Sequence, residues 1–174
     1  VYAAIDDVGV LRYDTTTASG LSTWSSANTL HSDSITGITV SGNQLLLSSS
    51  DNGLARFDYV AGFWLSTWTS ANWLSSDTVA GVERVGPTLY ILAGEDLHTY
   101  NTTNGVFSTT YNLATLGLAN EGASLISWPA GGGASPATNA LLVDDGSGNL
   151  IHLSPNQTPF IEGEMLLALS LIHI

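Results

Sequence analysis

Arg12-Tyr13-Asp14 is followed seven residues later by Leu21-Ser22-Thr23-Trp24, and 44 residues further on the pattern recurs as Arg56-Phe57-Asp58 and Leu65-Ser66-Thr67-Trp68. Ala27-Asn28, Leu30, Ser32-Asp33, Gly37, Gly42 and Leu45 likewise return as Ala71-Asn72, Leu74, Ser76-Asp77, Gly81, Gly86 and Leu89. Laid over one another without a gap, residues 9–52 and 53–96 agree at 16 of 44 positions. At an offset of 43 the trace continues, with Phe57-Asp58 becoming Tyr100-Asn101 and Thr67-Trp68 becoming Thr110-Tyr111. A fainter echo lies at Asn149 to Leu153, after an insertion rich in Gly, Pro and Ala over 128–139. A period in the forties with alternating apolar residues and turn signals predicts one sheet-sized unit stacked on copies of itself.

Within one period the alternation predicts four short strands: Ile35 to Val40, Leu45 to Ser50, Leu54 to Tyr59 and Phe63 to Thr69. The next copy gives Thr78 to Arg84, Thr88 to Ala93, Leu97 to Asn101 and Val106 to Tyr111. Turn residues separate them, as at Ser41-Gly42-Asn43, Asp51-Asn52-Gly53 and Ala61-Gly62. Residues 113–118 alone suggest a short helical turn. The expected fold is all-β: a β-propeller fragment with four-stranded antiparallel blades repeating every 43–44 residues. The expected division is a partial blade at 1–26, blades at 35–69 and 78–112, and a partial blade at 122–168 carrying the insertion. The repeat leads to the expectation that the chain starts mid-unit. Its last six residues, 169–174, read like translated sequencing adapter, so they are expected to be an artefact.

In the third strand of each unit Tyr13 and Phe57 point one way, and the flanking Arg12/Asp14 and Arg56/Asp58 point the other. The expectation is a repeated structural ion pair. Trp24, Trp68 and Tyr111 form a column at one position of the outer strand, and inter-blade packing accounts for it better than a carbohydrate platform.

Composition narrows the function. The net charge is −12, with three Arg, no Lys and fifteen Asp and Glu. Such a surface repels phosphate backbones and anionic lipid, so nucleic acid is excluded as a partner and cationic partners are favoured. No cysteine is present, which removes thiol chemistry and thiolate metal sites. The apolar run from Met165 to Ile174 is too short to span a bilayer. Asn101-Thr102-Thr103 and Asn156-Gln157-Thr158 fit the N-glycosylation pattern and point weakly to export.

The segments Asp33-Ser34-Ile35-Thr36-Gly37-Ile38, Gly42-Asn43-Gln44-Leu45-Leu46-Leu47 and Asn52-Gly53-Leu54-Ala55-Arg56-Phe57-Asp58 resemble the two-component-regulator propeller repeat over about residues 9–111. Asp14, Gly20 and Trp24, with Asp58, Gly62 and Trp68, resemble quinone-dependent propeller blades less closely, because Thr-Gly is missing at the right spacing. The first resemblance implies the sensing part of a membrane-anchored signalling protein. It also implies that loops between blades and loops joining strands two and three share one face.

Ten carboxylates fall in those loops: Asp6, Asp7, Asp33, Asp51, Asp77, Glu95, Asp96, Glu121, Asp144 and Asp145. Asp is also a good turn residue in its own right, so the acidic face has an ordinary explanation beside the functional one. Trp73 stands where the preceding copy has Thr29, and His31 where the next has Ser75; departures from a repeat in loops mark specificity. The expected contact residues are therefore Trp73, His31, Asp33, Asp77, Asp51, Glu95 and Asp96. Asp145, Ser147 and Asn149 have the spacing of a calcium loop but lack its Gly and Glu, so a plain hairpin is favoured. His31, His98 and His152 are scattered, and no Ser sits in a nucleophile elbow. The function expected is a non-enzymatic recognition or sensing module, extracellular, on the cell surface or periplasmic, needing no cofactor. Its ligand would be a protein, a small molecule or a glycan. The alternative is a propeller enzyme acting on carbohydrate or using a quinone.

Overall fold

The structure, a computed structural model, describes residues 1–5, 7–116, 124–128, 140–144, 150–153 and 160–161. Its strands form four antiparallel sheets, each a meander in chain order. The first blade holds β1 (Tyr2–Ile5), β2 (Gly9–Asp14) and β3 (Ser19–Gly20). The second holds β4 (Ile35–Ser41), β5 (Gln44–Ser49), β6 (Leu54–Asp58) and β7 (Phe63–Trp64). The third holds β8 (Val79–Val85), β9 (Thr88–Ala93), β10 (Asp96–Asn101) and β11 (Val106–Asn112). The fourth holds β12 (Ser124–Trp128), β13 (Ala140–Asp144), β14 (Leu150–Leu153) and β15 (Phe160–Ile161). The first strands of the three four-stranded blades, β4, β8 and β12, lie beside one another in turn, which is the inner wall of a β-propeller, while β1, which the repeat aligns with β5, borders β4 as β5 borders β8. Among the described residues one 3-10 turn, Ala114–Leu116, falls in the stretch expected to be helical.

The core lies between sheets rather than within them. Val10, Trp24 and Leu30 of the first blade meet Ile35, Leu45 and Leu47 of the second. One period on, Leu54, Trp68 and Leu74 meet Val79, Leu89 and Ile91. Leu97 and Leu113 then meet Val143 of the fourth blade. The second strand is buried on both sides, since Leu45 and Leu47 face the preceding blade and Leu46 faces the next. Threonines close the inner wall: Thr36 Oγ1 donates to Val79 O at 2.6 Å and Thr39 Oγ1 to Val82 O at 2.7 Å. Each fully buried Leu contributes about 1.5–3 kcal/mol, which a blade gains only when its neighbour is present.

The outer strand is where the sequence reading needs correction. In the first two blades it lasts two residues, not the seven expected for Phe63 to Thr69. The chain then bulges and returns as an isolated bridge, Val10 to Trp24 and Leu54 to Trp68. At the bulge the backbone carbonyl of Ser22 or Ser66 loses its strand partner. The arginine of the repeat supplies one. Arg12 Nε donates to Ser22 O at 2.7 Å, and Arg56 Nε to Ser66 O at 2.9 Å. Each guanidinium lies on the following tryptophan, 4.6 Å from the Trp24 ring centre and 4.3 Å from that of Trp68. The expected Arg–Asp ion pair is therefore not formed in either copy. Asp14 and Asp58 instead accept backbone N–H groups of the next turn, Thr16 at 2.8 Å and Ala61 at 2.8 Å, as turn-forming aspartates do. In the third blade β11 carries the same bulge, and Thr99 Oγ1 takes the arginine's place by donating to Thr109 O at 2.8 Å.

Gly9 and Gly53 share one task. Both have positive φ, 101° and 77°, and a Cβ there would stand 2.2 Å from Trp24 O or 2.1 Å from Trp68 O. The bridge that seats each tryptophan thus requires glycine opposite it.

Candidate functional site

Among the described residues, the hairpin joining the second and third strands of the second blade meets the inter-blade loops on either side of that blade at one end of the molecule. Asn52 Nδ2 donates to His31 O at 2.9 Å, and Gly53 N to Asp77 O at 2.7 Å. The loops from the first blade to the second and from the second to the third are tight turns held by their own side chains. Asn28 Oδ1 accepts Ser25 N at 2.9 Å while its Nδ2 donates to Thr23 O at 3.0 Å. Asn72 repeats both bonds with Thr69 and Thr67.

Two of the expected contact residues belong to this scaffold. Asp33 accepts the N–H and hydroxyl of Ser26, and Asp77 accepts Ser70 N at 2.7 Å. Those bonds hold the Asp33 carboxyl below the usual carboxylate range. Asp96 accepts Asn112 Nδ2 at 2.9 Å. Asp51 and Glu95 are exposed, and among the described residues their carboxylates make no hydrogen bond. His31 is exposed and beside Asn52, bordering a slight depression with Leu30 and Leu47. Asp6, Glu121, Asp145, Ser147 and Asn149 lie outside the described residues. Among the described residues no three His, Asp or Glu side chains converge as metal ligands, so the acidic groups are spread along the loop end rather than gathered.

Trp73 is placed apart from them. It is 57% exposed, and its ring stacks on Phe107 at 5.6 Å with 7° between planes. Phe107 packs in turn on Trp68 and Tyr100, at 5.0 and 5.1 Å. These rings, with Arg56, Ser66 and Val106, line a groove of about 380 Å³ on the outer wall of the seam between second and third blades. Among the described residues no carboxylate lines it. The Trp24 and Trp68 rings, by contrast, are 5% and 4% exposed and belong to the packing, as their column implied.

His98 was a scattered histidine in sequence and is a buried one in the fold, 6% exposed. Its Nε2 accepts Ser75 N at 3.1 Å, which fixes the proton on Nδ1, 3.0 Å from Thr110 Oγ1. Burial holds its pKa below the ordinary 6.5, and Asp96 offsets part of that. The folded state therefore keeps His98 neutral, while the unfolded chain takes up a proton as pH falls through 6.5. Stability from this group is complete above that value and drains away as pH falls towards the lower folded-state pKa. Urea titrations at stepped pH should show a loss of stability that sets in as pH falls through the ordinary 6.5 and that His98→Gln diminishes. An unchanged slope in the variant would refute the assignment. The signal available in sequence was the repeat itself, in which His98 replaces the small apolar Ala55 at an offset of 43.

No protein-family model and no curated protein matches the sequence. Among solved structures the chain is similar to the extracellular domain of the hybrid two component system BT4673 from B. thetaiotaomicron, with 13% identity and a TM-score of 0.64 over 90% of this chain and 22% of that one. The extracellular domain of BT3049 from the same organism gives 15% and 0.58 over 94% and 27%. The WD40 repeats of RRP9 give 15% and 0.66 over 92% and 46%. The chain thus spans under half the length of each. At these identities the likeness is one of fold, and the fold is the β-propeller.

Proposed function

We propose that this chain is the recognition or sensing part of a secreted or surface-exposed propeller protein and performs no chemistry itself. The reading is supported by propeller neighbours that include extracellular domains of two component systems. One observation carries it: Trp73 is left 57% exposed at a loop position where the preceding copy of the repeat is built with Thr29. An indole held open by a parallel stack on Phe107 is a rigid, low-entropy contact surface of the kind binding sites use. The exposed Asp51 and Glu95 at the loop end add a field that favours cationic or neutral partners, protein, peptide or glycan. Placement outside the cytoplasm, at the cell surface or in the periplasm, accompanies this reading.

The test is Trp73→Thr, which installs the repeat's own alternative. Its stability should lie within about 1 kcal/mol of the parent, because little buried surface is lost. Screened side by side on glycan and peptide arrays, the parent should bind at least one class and the variant should lose it by roughly tenfold or more. Undiminished binding by Trp73→Thr, or release of product from any bound glycan, would defeat the proposal.

A further inference from the structure

At the end opposite the loops, a second and more polar pocket of about 550 Å³ opens between the second and third blades. Its walls come from the β4–β5 and β10–β11 turns and from the ends of β6 and β8. Two opposite charges share it, Asp58 and Arg84, and their hydrogen bonds go to backbone groups rather than to each other. Asp58 Oδ1 accepts Val60 N at 3.0 Å and Ala61 N at 2.8 Å, while its Oδ2 has no hydrogen bond among the described residues. The corresponding Asp14 spends both oxygens, the second on Thr17 Oγ1 at 2.9 Å. Arg84 Nε donates to Gly86 O at 3.0 Å, which leaves both terminal nitrogens. The repeat has Val40 at this position, so the guanidinium is particular to this seam. Around the two charges stand the amides of Asn43 and Gln44 and the hydroxyl of Thr103, whose side chains likewise make no hydrogen bond among the described residues.

A spare carboxylate oxygen, a spare guanidinium edge and neutral amides in the same pocket are complementary to a molecule with a cation at one end, an anion at the other and peptide groups between. The volume exceeds that of one amino acid. A molecule neutral overall is also not repelled by a chain of net charge −12, as a simple carboxylate would be. We propose that this pocket binds short zwitterionic peptides, with the α-ammonium on Asp58 Oδ2 and the α-carboxylate on the Arg84 guanidinium. The site is separate from the Trp73 groove, and either can stand without the other.

Calorimetric titration of the intact chain with trialanine and tetra-alanine should give saturable binding. N-acetyl-trialanine and trialanine amide should each bind roughly tenfold or more weakly, since each loses one charged hydrogen bond. Asp58→Asn keeps the Oδ1 turn bonds, and it should no longer distinguish free from acetylated peptide. Arg84→Gln should no longer distinguish free acid from amide. The comparison of capped with free peptides needs no variant, so a folding defect in either substitution does not obscure it. Absence of saturable binding to both peptides, capped peptides binding as tightly as free ones, or variants that keep the discrimination would each overturn the assignment.

Discussion

Gly53→Ala should abolish or nearly abolish the folded state. The residue has φ +77°, and its new methyl carbon would meet Trp68 O at 2.1 Å, with Trp68 C at 3.1 Å and Thr69 Cα at 3.2 Å behind it. The left-handed conformation alone costs an alanine about 1–2 kcal/mol. The clash is with backbone, which cannot swing aside like a flexible side chain, and relieving it breaks the Leu54–Trp68 bridge. A total of about 4 kcal/mol or more is a large part of a small domain's stability. Gly62→Ala provides the control: φ is +78°, but nothing lies within 4 Å of the added carbon, so only the conformational cost applies. Urea midpoints for the two variants should therefore differ widely although their φ angles, +77° and +78°, nearly coincide. Equal midpoints would mean that the close approach at Gly53 does not govern the bridge.

Trp68→Ala should be the most damaging side-chain truncation on the seam. The ring is 4% exposed and packs among Leu54, Leu74, Val79 and Ile91, with Tyr100 at 4.7 Å on its flank. Truncation of a buried Trp costs about 3–5 kcal/mol. Here it also strips the surface on which the Arg56 guanidinium rests, and burial already disfavours that group's charge. Trp73→Ala, which removes a ring of the same size from an open position, should cost far less. Thermal or urea unfolding of the pair gives the answer. If the two truncations cost the same, the assignment of Trp68 to packing and Trp73 to the surface fails.

The repeat made the third strands, the turns and the tryptophan column readable before any coordinates, because each reflects a periodic burial pattern of its own residues. The arginine's partner was not readable. Whether Arg56 reaches Asp58 or Ser66 depends on a bulge in another strand, and pairing two residues along one strand says nothing about that. His98 was hidden by the slip from an offset of 44 to one of 43, which decides whether it stands for buried Leu54 or for Ala55, which borders the loop of His31 as His98 meets that of Ser75. Trp73 was identified as a departure from the repeat. Its position on the outer wall, away from the carboxylates, follows from stacking with Phe107 of the next blade, a contact between residues 34 apart that no local pattern encodes. Asp58 and Arg84 were read, respectively, as half of an ion pair and as the end of a strand, since their common pocket exists only once two blades meet.

The seams have a consequence for how such a chain can change over generations. Val10, Trp24 and Leu30 present to the second blade the same kind of face that Leu54, Trp68 and Leu74 present to the third, and Ile35, Leu45 and Leu47 receive it as Val79, Leu89 and Ile91 do. Unequal crossing-over between copies in the gene would therefore add or delete a unit whose two sides already fit its new neighbours. A duplicated unit inherits a finished interface, and mutation can then work on positions such as Thr29 and Trp73, where selection for a new partner does not collide with selection for folding.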